Sequence, residues 1–186
     1  PAAGVFDRFA AWFAARPSKP FLAWVHFFDP HLPYAPPEPF KSDRSLSPYD
    51  GEIAYVDLHI GRILDLLASS RGTLDRTLII AAGDHGEGFG EHGETGHGVF
   101  CYNETVSVPL IVRGPGKFPP NRVSRVPVSL VDIVPTVLDF LKLPLPSHVQ
   151  GLPLQRQLKK APRDGRPLSV ESVFLNEGVG SAIVTG

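Results

Sequence analysis

The segment TLIIAAGDHGEGFGEHGETGHG, residues 77–98, decides the fold, because it runs a short apolar strand straight into a glycine-punctuated loop. Residues 77–82 are apolar, β-branched or small, and a run of that length bounded by Gly83 predicts a buried strand. The loop behind it carries Asp84, His85, Glu87, Glu91, His92, Glu94 and His97. Glycines spaced from Gly86 to Gly98 let the backbone take positive φ and turn tightly, so that carboxylate and imidazole groups can converge on one cation. A solvated acidic loop is the plainer alternative, but it would have no need of three histidines among so few non-glycine positions. In an open α/β sheet the ligand crevice lies outside the carboxyl ends of the strands, and Asp84 and His85 stand at that end of this strand.

Outward from this segment, helical and strand patterns alternate, as in a layered α/β domain with a mostly parallel sheet. Residues 5–15 predict an amphipathic helix ended by Arg16 and Pro17. Residues 21–28 (FLAWVHFF) are almost uniformly apolar and predict a strand buried on both faces. Five prolines in DPHLPYAPPEPF, residues 29–40, then exclude regular structure and stiffen a loop at that strand's carboxyl end. A long helix follows: Ser47 can cap it, Pro48 suits its first position, and Asp50 lies three residues after the cap. Ile53, Val56, Ile60, Ile63 and Leu67 step by three and four, which predicts one apolar stripe against the sheet, and Gly72 stops the helix. A right-handed crossover into the strand at 77–82 fits the connection length. Residues 107–112 predict a third strand, and Asp132 is expected to cap a helix to about Leu141 with Pro135 in its first turn. Two short strands are expected at 168–174 and 180–184, in a tail that closes an edge of the same fold or begins a smaller subdomain.

Composition bounds the class. The chain has 186 residues, is 42% hydrophobic and carries a formal net charge of -1, enough for one ordinary core. No apolar run approaches the roughly 18 residues of a membrane span. Near-zero charge without a Lys/Arg cluster argues against nucleic acid as a partner. A single cysteine, Cys101, excludes an internal disulfide, and a small buried thiol is its plainest reading. Methionine is absent even at position 1, so the chain is expected to begin mid-protein, with any signal peptide upstream.

Two strand ends thus carry polar clusters: His26, Asp29 and His31 after the first, and the glycine loop after the second. If these strands are parallel neighbours, His31 and the Asp84–His85 pair share one rim, which is the active-site candidate. His26, inside an aromatic strand, is read as a buried, hydrogen-bonded core residue. His59, on the charged side of the long helix, is read as a surface residue. His148 receives no role.

Five ordered segments, FLAWVHFFDPHLPYAPPEPF, YDGEIAYVDLHIGRILDLL, TLIIAAGDHGEGFGEHGETGHG, YNETVSVPLIVRGPG and VSLVDIVPTVLDFL, resemble the second half of a sulfatase of the alkaline-phosphatase superfamily. The resemblance implies a three-layer α/β/α sandwich, incomplete here. Residues 1–154 would be the C-terminal portion of the catalytic domain, and 155–186 a tail or the start of a smaller subdomain. It also implies metal-dependent hydrolysis of sulfate esters, with a small-molecule or glycan ester as substrate and an extracytoplasmic or membrane-anchored setting. By position in the matching motifs, Asp84 and His85 would hold the one divalent metal, Ca, Mn or Zn. His31 would contact the group near the leaving oxygen, and His97 the anionic substrate.

Departures from the family pattern shape the expectation. Sulfatases usually show Asp-Asn at the metal pair with calcium, whereas this chain has Asp-His, and imidazole suits Zn or Mn better than Ca. The pair resembles that of phosphodiester and phosphonate monoester hydrolases, and of phosphoethanolamine or phosphoglycerol transferases, in the same superfamily. The Cys-x-Pro-x-Arg or Ser-x-Pro-x-Arg segment whose residue becomes formylglycine is absent and expected upstream. The chain alone is therefore expected to be inactive, and an inactive homologue binding metal or an anionic glycan is the non-enzyme alternative.

Overall fold

A computed structural model describes residues 1–16, 19–70, 72–158, 167–174 and 178–184. The elements are α-helices and β-strands, in two compact units, 1–76 and 77–186. No helix among the described residues is long and apolar enough to cross a membrane.

The first unit is built on two helices, α1 (Ala2–Ala15) and α2 (Pro48–Ser69). Phe9 and Phe13 of α1 are buried, and the edge of Phe13 meets Phe21 at 5.9 Å between ring centroids. Ser47 and Asp50 form the capping box expected at the start of α2: each side chain accepts from the other residue's backbone amide, with Pro48 in the first turn. The helix stops ahead of Gly72, which takes a left-handed φ of +66°.

The buried face of α2 is rotated from the expected stripe. Gly51, Glu52, His59 and Leu67 are buried, whereas Ile53 is exposed. His59 is therefore not a surface residue: it is 3% exposed, and its Nδ1 lies 3.1 Å from the Tyr55 carbonyl. Its ring meets the edges of Phe6 and Tyr55, and Arg62 lies over Phe6. The aromatic side chains of α1 turn this flank of α2 inward, which polarity alone does not reveal.

Residues 21–28 are not a strand among the described residues; they run without a hydrogen-bonded ladder. Leu22, Phe28 and Trp24, the last 87% exposed, lie at the surface, and so does His26, contrary to its reading as a core residue. A strand needs a partner for its amides and carbonyls, and apolar composition cannot supply one.

In the second unit β1 (Ile79–Ala82) pairs antiparallel with β4 (Leu110–Arg113), Ile79 opposite Arg113 and Ala82 opposite Leu110. The parallel arrangement expected for these strands is thus absent. Between them lie a small hairpin, β2 (Gly88–Phe89) with β3 (Thr95–Gly96), and the single turn α3 (Asn103–Val106). This segment brings the chain straight back along its own strand. β4 begins later than expected because Pro109 has no N–H to give a ladder, although its carbonyl accepts from Gly83 at 3.2 Å.

A 3₁₀ turn, Leu130–Asp132, leads into α4 (Ile133–Leu141), and the cap lies three residues before Asp132. Ser129 and Asp132 form the capping box, so Asp132 is its inner partner and does not cap α4 with its side chain. Asp132 is fully buried and also accepts from Leu152 N at 2.8 Å and Gln157 Nε2 at 3.1 Å, tying α5 (Leu154–Gln157) to α4. The tail forms an antiparallel pair, β5 (Leu168–Phe174) with β6 (Gly178–Val184), where two short strands were expected.

Candidate active site

β1 ends at Ala82 and delivers Asp84 and His85 immediately beyond its carboxyl end. Asp84 Oδ1 accepts the His85 amide at 3.0 Å, which holds the carboxylate beside the next residue's ring. His85 Nδ1 lies 2.9 Å from the Gly86 carbonyl. A carbonyl can only accept, so Nδ1 carries the hydrogen and Nε2 is left with its lone pair. That Nε2 lies 3.9 Å from Asp84 Oδ2. Two donors at such a separation can share an ion with bonds of about 2.0–2.4 Å, and the hydrogen bond behind the imidazole is the usual orienting partner of a metal-ligating histidine. The pair fits a divalent cation as two of its ligands. Among the described residues no group of three or more His, Cys, Asp or Glu side chains gathers into a complete metal cage.

Gly86 seats this pair. Its amide donates to the Thr105 carbonyl at 2.8 Å, and a Cβ added there would lie 2.0 Å from the Glu104 carbonyl oxygen. Only glycine permits that approach.

The hairpin brings the third residue in. Gly88 pairs with Gly96, so the ladder carries Glu87 alongside His97, and Glu87 Oε1 lies 2.9 Å from His97 Nδ1. The Glu87 side chain is only 7% exposed. A carboxylate beside Nδ1 assigns the hydrogen to that nitrogen, leaving Nε2 for another partner. The ring of His97 stacks on that of His85 with centroids 3.8 Å apart and planes 29° from parallel. Asp84, His85 and His97 are thus one cluster.

The remaining polar residues of the loop build it. Glu94 is buried and accepts from Val99 N at 3.0 Å and Phe100 N at 3.2 Å. His92 stacks on Tyr102 at 4.1 Å and meets Glu104 Oε1 at 3.1 Å. Glu91 accepts the Phe89 amide at 2.7 Å across the hairpin tip. Hydrogen bonds from its own amide and from that of Phe89 hold its carboxyl below the ordinary glutamate pKa, with nearby His92 adding in the same direction. Cys101 is half-buried and in no disulfide.

His31 belongs to the first unit, on the proline-rich loop ahead of α2. Its Nδ1 lies 2.7 Å from the Leu32 carbonyl, and its ring stacks on Phe28 at 4.3 Å. Its amide donates to Glu52 Oε2 at 3.0 Å, and that of Ala35 to Glu52 Oε1 at 2.7 Å. Sequence reading assigned no role to Glu52 or to the pairing of Glu87 with His97. A carboxylate inside the buried face of a helix was the available signal for the first, and the hairpin register for the second.

Residues 3–143 match the family model described as Sulfatase. The arylsulfatase of Clostridium perfringens is 29% identical over 182 residues, covering 75% of this chain and 37% of that protein. The N-acetylglucosamine-6-O-sulfatase of Bacteroides thetaiotaomicron is 35% identical over 130 residues, covering 68% of this chain and 23% of that protein. The solved structure of BT4656 with its substrate D-glucosamine-2-N,6-O-disulfate superposes with a TM-score of 0.64 at 32% identity, over 74% of this chain and 29% of that one. The chain therefore spans well under half the length of the curated relatives it matches.

Proposed function

We propose that this chain, which belongs to the sulfatase family and shares its alkaline-phosphatase-like α/β fold, contributes part of the active site of a metal-dependent sulfate ester hydrolase. The stacked His85–His97 pair with Asp84 at its edge, 3.8 Å between the ring centroids, is the observation that carries the reading. Asp84 and His85 hold a divalent cation, and such a cation, when bound, polarises a sulfuryl oxygen as a Lewis acid. His97, its Nδ1–H oriented by Glu87, donates from a protonated Nε2 to the non-bridging oxygens. His31 acts as the imidazolium: its Nδ1–H is held by the Leu32 carbonyl, and it donates its Nε2 proton to the leaving oxygen as charge develops there, returning to the neutral Nδ1–H ring. The names of the relatives favour sulfate over phosphate esters and support a sulfated amino sugar or glycan as substrate. The formylglycine nucleophile comes from outside this chain. The family resemblance supports an extracytoplasmic setting.

Kinetics of the complete enzyme on sulfate esters of graded leaving-group pKa test the assignment. His31→Ala is expected to depress kcat most for poor leaving groups, by roughly 10²-fold or more. His97→Ala is expected to raise KM at least as much as it lowers kcat, since contacts with the non-bridging oxygens exist in ground and transition states alike. Asp84→Ala is expected to lower the metal content of the purified protein. A His31→Ala defect that is the same for every leaving group would remove its role as acid, and metal content unchanged by Asp84→Ala would remove Asp84 from the site.

A further inference from the structure

We propose that Glu52 is a positioning residue for His31, a role that rests on the reading of His31 as the acid at the leaving oxygen. The loop at 29–40 contains five prolines, each without an N–H, so it cannot brace itself with a regular ladder. Its bracing comes from carboxylates. Glu52 lies in the second turn of α2 and is 6% exposed. Its two oxygens divide between two loop amides, Oε2 accepting from His31 at 3.0 Å and Oε1 from Ala35 at 2.7 Å. One rigid carboxylate thereby fixes the loop on both sides of Leu32, Pro33 and Tyr34, and one of its anchors is the backbone of His31 itself.

Two neighbouring contacts prevent the loop from sliding along the helix. Asp29 Oδ2 accepts the Ala2 amide of α1 at 2.7 Å. Pro36 lies so close to Gly51 that a Cβ there would come within 2.9 Å of the proline ring. With the backbone of His31 anchored, the Leu32 carbonyl at Nδ1 and the Phe28 ring stacked on one face orient the exposed imidazole. Glu52 touches no reacting atom in this role. It sets where the His31 imidazole sits, and general acid catalysis is sensitive to displacements of about 1 Å, which can cost about 10²-fold.

Glu52→Gln is the informative variant because it keeps the shape of the side chain. Its single carbonyl oxygen can still accept one amide, while its NH₂ group opposes the other. On the complete enzyme, kcat for a sulfate ester with a poor leaving group is expected to fall about ten- to a hundredfold, with KM nearly unchanged and a much smaller loss for an activated aryl sulfate. The double variant Glu52→Gln/His31→Ala is expected to be no slower than His31→Ala alone, because a positioning residue has nothing left to position. Hydrogen exchange supplies a readout independent of turnover: the amides of His31 and Ala35 are expected to exchange faster in Glu52→Gln, while those in the middle of α2 keep their protection. Equal losses on both esters, or losses that multiply fully in the double variant, would overturn the proposal. Unchanged protection of both loop amides would overturn it as well. A His31→Ala enzyme without leaving-group dependence would refute the role of His31, and the exchange measurement would still decide whether Glu52 holds the loop.

Discussion

Gly86→Ala is the substitution whose cost follows most directly from the geometry. The new Cβ would stand 2.0 Å from the Glu104 carbonyl oxygen, 3.0 Å from its carbon and 3.2 Å from Thr105 Cα, all of them backbone atoms with no rotamer to change. The loop must withdraw from α3 by about 1 Å before the contact is tolerable. The Gly86 amide bonds to Thr105 across the same gap at 2.8 Å, and a shift of that size breaks the bond. Overpacking costs about 1–3 kcal/mol, and a donor left unmade adds a comparable amount. The net expectation is a loss of about 2–6 kcal/mol, or roughly 4–24 °C in Tm for a chain of this size. The Gly86 carbonyl that holds His85 Nδ1 moves too, so affinity for Zn or Mn is expected to fall about ten- to a hundredfold, as when the partner behind a ligating histidine is removed. Differential scanning calorimetry and metal titration of wild type and variant measure both effects. Gly61→Ala is the control: Gly61 lies within α2, a Cβ there would meet nothing within 4 Å, and replacing a helical glycine should gain about 0.5–1 kcal/mol. A Gly86→Ala protein with the melting curve and metal affinity of wild type would refute the account of this loop.

Two further expectations concern the second unit. Asp132→Ala removes the acceptor of the part-buried amides of Ser129 and Leu152 and one of the two acceptors of Gln157 Nε2, and should cost about 2–4 kcal/mol in denaturant titration, with Asp132→Asn intermediate because it retains one acceptor oxygen; an Asn variant as stable as wild type would show that the charge contributes nothing. Glu91 has a pKa lowered by folding, so the support it gives the hairpin tip is fully present above the ordinary glutamate pKa and is lost as pH falls through the lower folded value. Protection of the Phe89 amide should therefore persist as pH falls to the ordinary glutamate pKa, decline only below it in wild type, and show no such step in Glu91→Gln; identical profiles would remove Glu91 from the hairpin.

Features governed by near neighbours in the chain were legible from residue order alone. The Ser47–Asp50 cap, the β1 segment, the break at Gly72 and the two tail strands each depend on a few adjacent residues, whose backbone preferences and hydrogen-bonding groups act over one turn. The delivery of Asp84 and His85 at a strand end was legible for the same reason. Tertiary structure decided which groups found partners across long separations. It paired β1 with β4 antiparallel, left 21–28 without a ladder among the described residues, and moved the cap of the helix near 132 back to Ser129. It buried His59 among Phe6 and Tyr55, and it gave Glu52 the amides of His31 and Ala35. It also set His97 on His85 with Glu87 behind it. Polarity and periodicity rank a residue's preference for water, but a buried carboxylate or imidazole is stable only when particular donors arrive to satisfy it, and those donors come from elsewhere in the chain.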